Sequence, residues 1–303
     1  MVEFYPGFCE AKYRDLKRTE IPVFLPDKRT EQKTGMTDYR EGAMRVLFIG
    51  DIVGSPGRKA VEKLVPKVKK REGVDFVIAN GENAAGGSGI TERLAKEIFS
   101  YGVDAITSGD HIWKRKEMVE VLDQYPDVLR PANYPPGVPG MGYHTIKAKN
   151  GKLVGIINLV GRVFMEPVEC PFRVAREAID ELKEKTNIII IDLHAEATSE
   201  KIAMGWYLDG LASAVIGTHT HVQTADERVL PQGTAYITDV GMTGPHDSVI
   251  GRKKEQILAR FLTQLPTRFE MAEEDVQLNG ALVEVDDNTG MAKSIKRIHE
   301  RLD

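Results

Sequence analysis

The sequence predicts an α/β protein in which buried strands alternate with amphipathic helices. Residues 45–50 and 188–192 are short, nearly continuous apolar runs, which are typical of strands buried on both faces. Residues 58–72 carry apolar side chains at helical spacing, with lysines and arginines on the opposite face. The chain has 303 residues, of which 42% are hydrophobic, so it is long enough to bury a large core. Such alternation is typical of α/β layers.

The remaining elements follow in order along the chain. Strands are predicted at residues 45–50, 75–79, 104–107, 153–160, 188–192, 214–216, 235–238 and 281–285, and helices at 58–72, 91–101, 116–122, 173–185, 198–207 and 255–262. Thr91 is expected to cap the second helix, and Gly102 is expected to end it. Prolines and glycines crowd residues 130–143, which predicts a loop there. The segment 281–285 is expected to be the last strand.

Residues 1–43 do not share this pattern. They mix eight basic with eight acidic side chains and three prolines, and they show no sustained helical or strand period. No apolar stretch follows a basic start, so the segment does not resemble a secretory signal. We expect residues 1–43 to be a polar N-terminal extension outside the catalytic core, and residues 44–303 to form one catalytic domain.

Composition excludes several classes of function. The formal charge of −4 gives no electrostatic footprint for duplex nucleic acid or for an anionic membrane surface. The sequence has no apolar run of the ~18 residues that a membrane span needs. Two cysteines, Cys9 and Cys170, are too few for a disulfide framework or a zinc ribbon, so a reducing cytoplasm is the expected compartment.

Polar side chains recur where the predicted strands end. In α/β sheets, ligands bind beyond the carboxyl ends of the strands, so these side chains are candidates for one common site. Each has an ordinary structural alternative; Asp51, for example, could cap the following helix. The candidates are Asp51, Glu82, Asn83, Asp110, His111, His194, His219 and His221.

The spacing of two histidines points to metal binding. On an extended backbone, residues two apart face the same side, so His219 and His221 could serve one metal or two adjacent metals. Together with the other candidates they offer enough oxygen and nitrogen ligands for two divalent ions. Carboxylates buried together without cations would repel one another. Mixed histidine and carboxylate donors suit iron, manganese or zinc rather than calcium.

The same residues carry a resemblance to a known family. Their order is that of calcineurin-like metallophosphoesterases, with the motifs Gly81-Glu-Asn83, Gly109-Asp-His111 and Gly217-Thr-His-Thr-His221. Longer motifs at residues 50–54, 80–84, 130–135, 192–198 and 237–245 are similar to the YmdB-type bacterial 2′,3′-cyclic-nucleotide phosphodiesterases. The resemblance begins at Met44 and does not cover residues 1–43. A dinucleotide-binding loop at 50–57 is disfavoured, because Ile52 stands where that fingerprint needs glycine.

The resemblance implies a four-layer α/β/β/α sandwich with a dinuclear metal centre, containing iron or sometimes manganese. By the same resemblance, one metal is held by Asp51, Glu82, Asn83 and His221, and Glu82 bridges to a second metal, which is also held by Asp110, His194 and His219. His111 matches the proton donor of the family. The family usually has asparagine where this chain has Asp110. A carboxylate there should tighten cation binding and raise the pKa of the bridging water.

The expected activity is hydrolysis of small 2′,3′-cyclic nucleotides to 3′-nucleotides, by attack of a metal-bridging hydroxide with His111 as general acid. A phosphomonoesterase or nucleotidase on the same centre remains an alternative, as does a non-catalytic regulator that binds a nucleotide. Amidohydrolase chemistry is less favoured, because its His-x-His motif is expected on the first strand. The resemblance also implies self-association into a homo-oligomer. Neither duplex nucleic acid nor a membrane is an expected partner.

Overall fold

A computed structural model describes residues 42–303 of the chain. The predicted extension at residues 1–43 therefore lies outside the described residues, apart from its last two positions. The strands are β1 Ala43–Ile49, β2 Asp51–Ile52, β3 Phe76–Asn80, β4 Ala105–Thr107, β5 Tyr143–Lys147, β6 Leu153–Val160, β7 Ile189–His194, β8 Ala214–Thr218, β9 Arg228–Val229, β10 Ala235–Ile237, β11 Met242–Pro245, β12 Val276–Asp286 and β13 Ala292–Arg301. The α-helices are α1 Gly54–Glu72, α2 Glu92–Ser100, α3 Glu117–Val121, α4 Pro171–Lys183, α5 Thr198–Tyr207 and α6 Lys254–Thr263.

These strands form two sheets. The first has the order β2-β11-β12-β1-β3-β4, and β13 also pairs with β12. Its strands β1, β3 and β4 are parallel, whereas β1 and β12 are antiparallel. The second sheet has the order β5-β6-β7-β8-β10-β9, in which β6, β7, β8 and β10 are parallel. Each sheet therefore has a set of parallel strands whose carboxyl ends lie at one edge.

The two sheets pack face to face, and helices cover their outer faces. In β1, Val46 and Phe48 belong to the core between the sheets, whereas Leu47 and Ile49 belong to the core shared with α1 and α2. In the second sheet, Ile191 packs in a separate core with residues of α4 and α5. Because these strands are buried on both faces, their apolar runs are continuous. The layers confirm the predicted four-layer α/β/β/α architecture.

The predicted elements are present, with some shifted bounds. Residues 153–160 and 198–207 form a strand and a helix at the predicted positions, and the Thr91 hydroxyl accepts a hydrogen bond from Leu94 N at 3.3 Å as the expected helix cap. Helix α1 begins at Gly54, four residues before the predicted start at 58. There the left-handed φ of 61° suits glycine and lets the chain turn directly from β2 into the helix.

The prediction that residues 281–285 form the last strand is wrong. They are part of a longer strand, β12, and a further strand, β13, follows and pairs with β12 along most of its length. Most side chains of β13 are exposed or only half-buried, and many of them are charged. The strand therefore lacks the continuous apolar run on which the other predictions depended.

Candidate metal centre

The carboxyl ends of the two sheets meet at the predicted site. Four side chains from these ends converge closely enough to share one ion: Glu82, Asp110, His194 and His219. The Nε2 atom of His194 lies 3.1 Å from Glu82 Oε2, 3.4 Å from Asp110 Oδ1 and 3.0 Å from His219 Nδ1. His194 is completely buried, so water does not screen these contacts.

A hydrogen-bond chain behind His194 fixes which nitrogen faces this cluster. The Thr218 hydroxyl donates to Asp192 Oδ1 at 2.7 Å and lies 2.9 Å from His194 Nδ1. A hydroxyl has one proton, so Thr218 must accept from His194 Nδ1, which leaves Nε2 of a neutral ring as a lone-pair donor. Burial raises the pKa of Asp192 to about 6, and the charge of His194 and the hydrogen bonds from Thr107 and Thr218 partly oppose this rise.

This arrangement aims several acceptors at one point. A neutral His194 presents its Nε2 lone pair to two carboxylate oxygens and a second imidazole nitrogen, and only a cation or an added proton can satisfy all of them. Burial alone would lower the pKa of His194, but the nearby charges of Glu82, Asp110 and Asp51 raise it well above its ordinary value. The space between these groups therefore favours a positive charge, which either a proton on His194 or a bound metal ion can supply.

The other predicted ligands lie beside this cluster. Asp51 is completely buried; its Oδ1 atom lies 3.8 Å from His194 Nδ1 and 4.0 Å from His221 Nε2. Asn83 Nδ2 lies 3.2 Å from His221 Nε2, and it donates to Glu82 Oε1 at 2.9 Å. Asp51 does not cap helix α1, whose N-cap residue is Val53 and has no side-chain hydrogen bond. Helix capping therefore does not explain why a carboxylate is buried at this position.

Two carboxylate oxygens at the site support the fit to metal ions. Asp51 Oδ1 and Asp110 Oδ1 are buried and have no hydrogen-bond partner among residues 42–303, although most buried polar atoms in proteins have one. Burial raises the pKa of Asp51, and the charges of His221 and His194 partly oppose this rise. A Cβ atom on Gly109 would lie 2.2 Å from Glu82 Oε2, so glycine is required for the close approach. The donor set and its unpaired oxygens fit a centre of two cations.

The predicted extended backbone at His219 and His221 is wrong. Both residues lie beyond the end of β8 and have left-handed φ angles of 97° and 66°. As a result, His219 Nδ1 faces His194, whereas His221 Nε2 faces Asn83. The two rings therefore face different parts of the site rather than one common side. His219 also ties the two sheets together, because its backbone N–H donates to Asp51 Oδ2 at 3.1 Å.

A buried ion pair holds the residue between these histidines. Lys201 of α5 contacts Asp239 Oδ2 at 2.7 Å, and both side chains are buried. The same Asp239 oxygen accepts hydrogen bonds from the Thr220 backbone N–H at 3.0 Å and from its hydroxyl at 2.7 Å. The left-handed backbone of the His-Thr-His segment thus depends on residues outside that segment.

His111 lies at the edge of the cluster. Its Nδ1 atom is 3.0 Å from Asn83 Oδ1 and 3.4 Å from Glu82 Oε1, while its Nε2 atom is 3.7 Å from Asp110 Oδ2. The hydrogen bond to Glu82 raises the pKa of His111, although burial opposes the rise. The raised pKa favours the imidazolium form, which can donate a proton.

An open cavity of about 380 Å³ gives access to the site. The lining residues that sequence reasoning missed include two charged ones, Glu196 and Arg252. Glu196 Oε2 lies 3.2 Å from His219 Nε2, on the ring edge opposite the cluster. Glu196 stands in the motif at residues 192–198, so its proximity to His194 in sequence was the available signal. No sequence signal indicated Arg252, because it follows strand β11, and none of the predicted ligands lies at the end of that strand.

Comparison with known proteins gives the family. Residues 47–298 match the family model described as YmdB-like protein. The chain belongs to the YmdB-like family. It is 54% identical over 255 residues to the 2′,3′-cyclic-nucleotide 2′-phosphodiesterase of Bacillus subtilis, covering 84% of this chain and 96% of that protein. It is 36% identical to a Mycoplasma genitalium protein named as a putative phosphatase/phosphodiesterase, over 86% of this chain and 94% of that one.

Solved structures of similar length share the fold. A hypothetical protein from Thermus thermophilus aligns with a TM-score of 0.80 at 43% identity, covering 86% of this chain and 100% of the other. A protein described as a novel phosphatase from Mycoplasma pneumoniae aligns with a TM-score of 0.80 at 35% identity, covering 86% of this chain and 94% of the other.

Within residues 42–303, no helix is both long and apolar enough to cross a bilayer.

Proposed function

We propose that this chain is a dinuclear metal-dependent phosphodiesterase that opens 2′,3′-cyclic nucleotides to 3′-nucleotides. The observation that carries the proposal is the position of His111, a partly exposed imidazole that lies 3.4 Å from Glu82 Oε1 at the edge of the candidate metal-binding cluster. The name of the Bacillus subtilis relative supports the substrate, because a 2′-phosphodiesterase cleaves the ester at ribose O2′ and leaves the 3′-phosphate.

The proposed ligands divide into two sets that share Glu82. The first set is Asp51, Glu82, Asn83 and His221, and the second is Glu82, Asp110, His194 and His219. The Asn83 oxygen accepts from His111 Nδ1 at 3.0 Å and has a second lone pair for a metal. We infer iron or manganese, because the donors mix imidazole nitrogen with oxygen and include no thiolate. When bound, such a pair of ions lowers the pKa of water and neutralises charge on phosphoryl oxygens.

In the proposed reaction, His111 supplies the proton for the leaving group. The oxygen of an attacking water bonds to phosphorus, the bond from phosphorus to ribose O2′ breaks, and O2′ takes a proton from His111. The proton lost by the water returns His111 to its starting form. The alkoxide leaving group is poor unless protonated, so a placed general acid contributes about 10²–10⁴ in rate. The raised pKa of His111 supports this role.

The test is product analysis with the metal-loaded protein. We expect 2′,3′-cyclic AMP to be converted to 3′-AMP without accumulation of 2′-AMP or adenosine. The competing proposal is a phosphomonoesterase on the same centre, which is supported by the phosphatase in the name of the Mycoplasma relatives. That enzyme would hydrolyse 3′-AMP or 5′-AMP faster than the cyclic diester. Binding of nucleotide without any product would instead indicate a regulator.

Three broader expectations belong to the same proposal. We propose that residues 44–303 suffice for catalysis, so that deletion of residues 2–43 leaves turnover unchanged; a folded but inactive deletion variant would contradict this. We also propose a cytoplasmic location and self-association into a homo-oligomer. Sedimentation of the purified protein at several concentrations tests the latter, and a single monomeric species would contradict it.

A further inference from the structure

We infer that Ile250 and Arg252 form the surface that holds the nucleoside of the substrate. This inference rests on the proposed function, because it assumes that the phosphoryl group lies at the metal-binding side chains. Those side chains make up part of the cavity lining, and Ile250 and Arg252 add accessible side-chain surface that cannot bind a metal. A cavity of about 380 Å³ is larger than a phosphoryl group needs, so the remaining surface is free to contact the rest of the ligand.

The backbone of Ile250 is strained in a way that keeps its side chain exposed beside the site. Its φ angle is 44°, a left-handed conformation that β-branched residues rarely adopt, and the residue is 53% exposed. Strain of this kind persists only where the surroundings impose it, and it clusters at ligand sites. Here the surroundings are a tight turn, in which the backbones of Val249 and Arg252 exchange hydrogen bonds of 2.9 and 3.0 Å.

The same turn is tied to the proposed metal ligands. His221 Nδ1 lies 3.3 Å from the Ile250 carbonyl oxygen, which orients the ring so that Nε2 faces Asn83. The Ser248 hydroxyl accepts a hydrogen bond from Gly251 N at 2.8 Å and fixes the other side of the turn. Ile250 is thus held at a constant distance from the ligand set, as a substrate-contacting residue must be.

Arg252 is fixed by the neighbouring glycine-rich loop. Its Nη2 donates to the Gly87 carbonyl at 3.0 Å, and its Nη1 lies 3.4 Å from the Gly86 carbonyl and 3.3 Å from Met271 Sδ. A Cβ atom on Gly87 would lie 2.6 Å from Nη2, so a larger residue would displace the guanidinium, and the φ of 85° also favours glycine. The Nε hydrogen and one Nη2 hydrogen bind no other residue within 42–303. Arg252 is partly exposed and lines the cavity, and it therefore keeps donors available for a ligand.

This surface matches the chemistry of a nucleobase better than that of a phosphate. A base has apolar faces and acceptor atoms at its edge. The exposed Ile250 side chain can contact the face, and a guanidinium can stack on it or donate to the edge. Among the described residues that line the cavity, Arg252 is the only lysine or arginine. Binding of the phosphoryl group by Arg252 is the rival role, and the experiment separates the two.

The experiment compares ligands with and without a nucleoside. In the metal-loaded protein, Ile250→Ala and Arg252→Lys are each expected to weaken binding of 3′-AMP about tenfold in calorimetric titration. Both variants should leave binding of inorganic phosphate unchanged. Turnover should also depend on whether the substrate has a nucleoside. In both variants, kcat/KM should fall for 2′,3′-cyclic AMP but not for glycerol 1,2-cyclic phosphate, which keeps the cyclic diester and lacks the nucleoside. Leu262→Ala, an exposed apolar residue of α6, is the matched control and should change neither ligand.

Three outcomes would overturn the inference. Equal weakening of 3′-AMP and phosphate would assign Arg252 to the phosphoryl group or to loop structure, and unchanged binding of 3′-AMP would exclude contact with the nucleoside. A wild-type protein that does not bind 3′-AMP would also contradict it. Failure of the proposed function is a different result, in which the wild-type protein binds 3′-AMP selectively yet hydrolyses neither cyclic diester.

Discussion

Replacement of Lys201 by methionine tests how the His-Thr-His segment is held in its left-handed conformation. Lys201 is completely buried, and its ammonium group is the cation paired with Asp239. Methionine keeps the apolar stem and removes the charge, so Asp239 keeps its hydrogen bonds from Thr220 and from Gly241 N but loses its counter-ion. Breaking a buried pair in this way costs about 3–5 kcal/mol, because one charge is left uncompensated.

Urea unfolding followed by circular dichroism measures this loss. Lys201→Met should lower the free energy of unfolding by about 3–5 kcal/mol. The control is Lys63→Met, which breaks an exposed pair of 3.0 Å with Glu62 and should cost about 1 kcal/mol or less. The folded Lys201→Met protein should also bind metal more weakly, since Thr220 lies between two proposed ligands. A cost below about 1 kcal/mol with unchanged metal binding would refute this role for the ion pair.

Three further substitutions test individual parts of the site. His111→Ala should keep its metal content but lose about 10²–10⁴ in turnover, and near-normal turnover would remove His111 as the acid. Asp192→Asn should weaken metal binding about 10–100-fold in a competition titration. Asn80 and Thr107 donate to Oδ2 and hold the amide oxygen there, so the amide nitrogen faces Thr218 and donates to it. Thr218 then donates to His194 Nδ1, which leaves no lone pair on Nε2 of the neutral ring; unchanged affinity would show that this hydrogen-bond chain is unimportant. Gly109→Ala places a Cβ atom 2.2 Å from Glu82 Oε2 and should abolish metal binding; a fully loaded variant would contradict the close approach.

Burial on both faces explains which strands could be predicted. Strands β1 and β7 lie between two cores, so nearly every side chain is apolar and the run is visible in the sequence. Strand β2 has two residues, and its existence depends on pairing with β11, which is distant in the chain. Strand β9 also has two residues, and both are exposed, so it shows no buried apolar run. No local pattern specifies such pairs, and β13 escaped prediction because most of its side chains remain exposed.

The members of the site were predictable to a greater extent than their geometry. Each of these polar residues alone has an ordinary structural alternative, but their recurrence at the ends of successive strands indicates one common site. The structure brings all eight candidates to one end of the two sheets. The orientation of His219 and His221 was not predictable, because it depends on the ion pair of Lys201 and Asp239. A lysine within an amphipathic helix normally predicts an exposed side chain, so its burial could not be inferred from α5 alone.

Metal stoichiometry tests the central claim most directly. After purification and reloading with iron or manganese, inductively coupled plasma mass spectrometry should find two ions for each chain. Asp110→Ala should lose the ion held by the set with His194 and His219, and His221→Ala should lose the other. A wild-type protein that binds no ion would contradict a dinuclear centre at these side chains. So would a wild-type protein that holds one ion after saturation, with both variants binding the same amount.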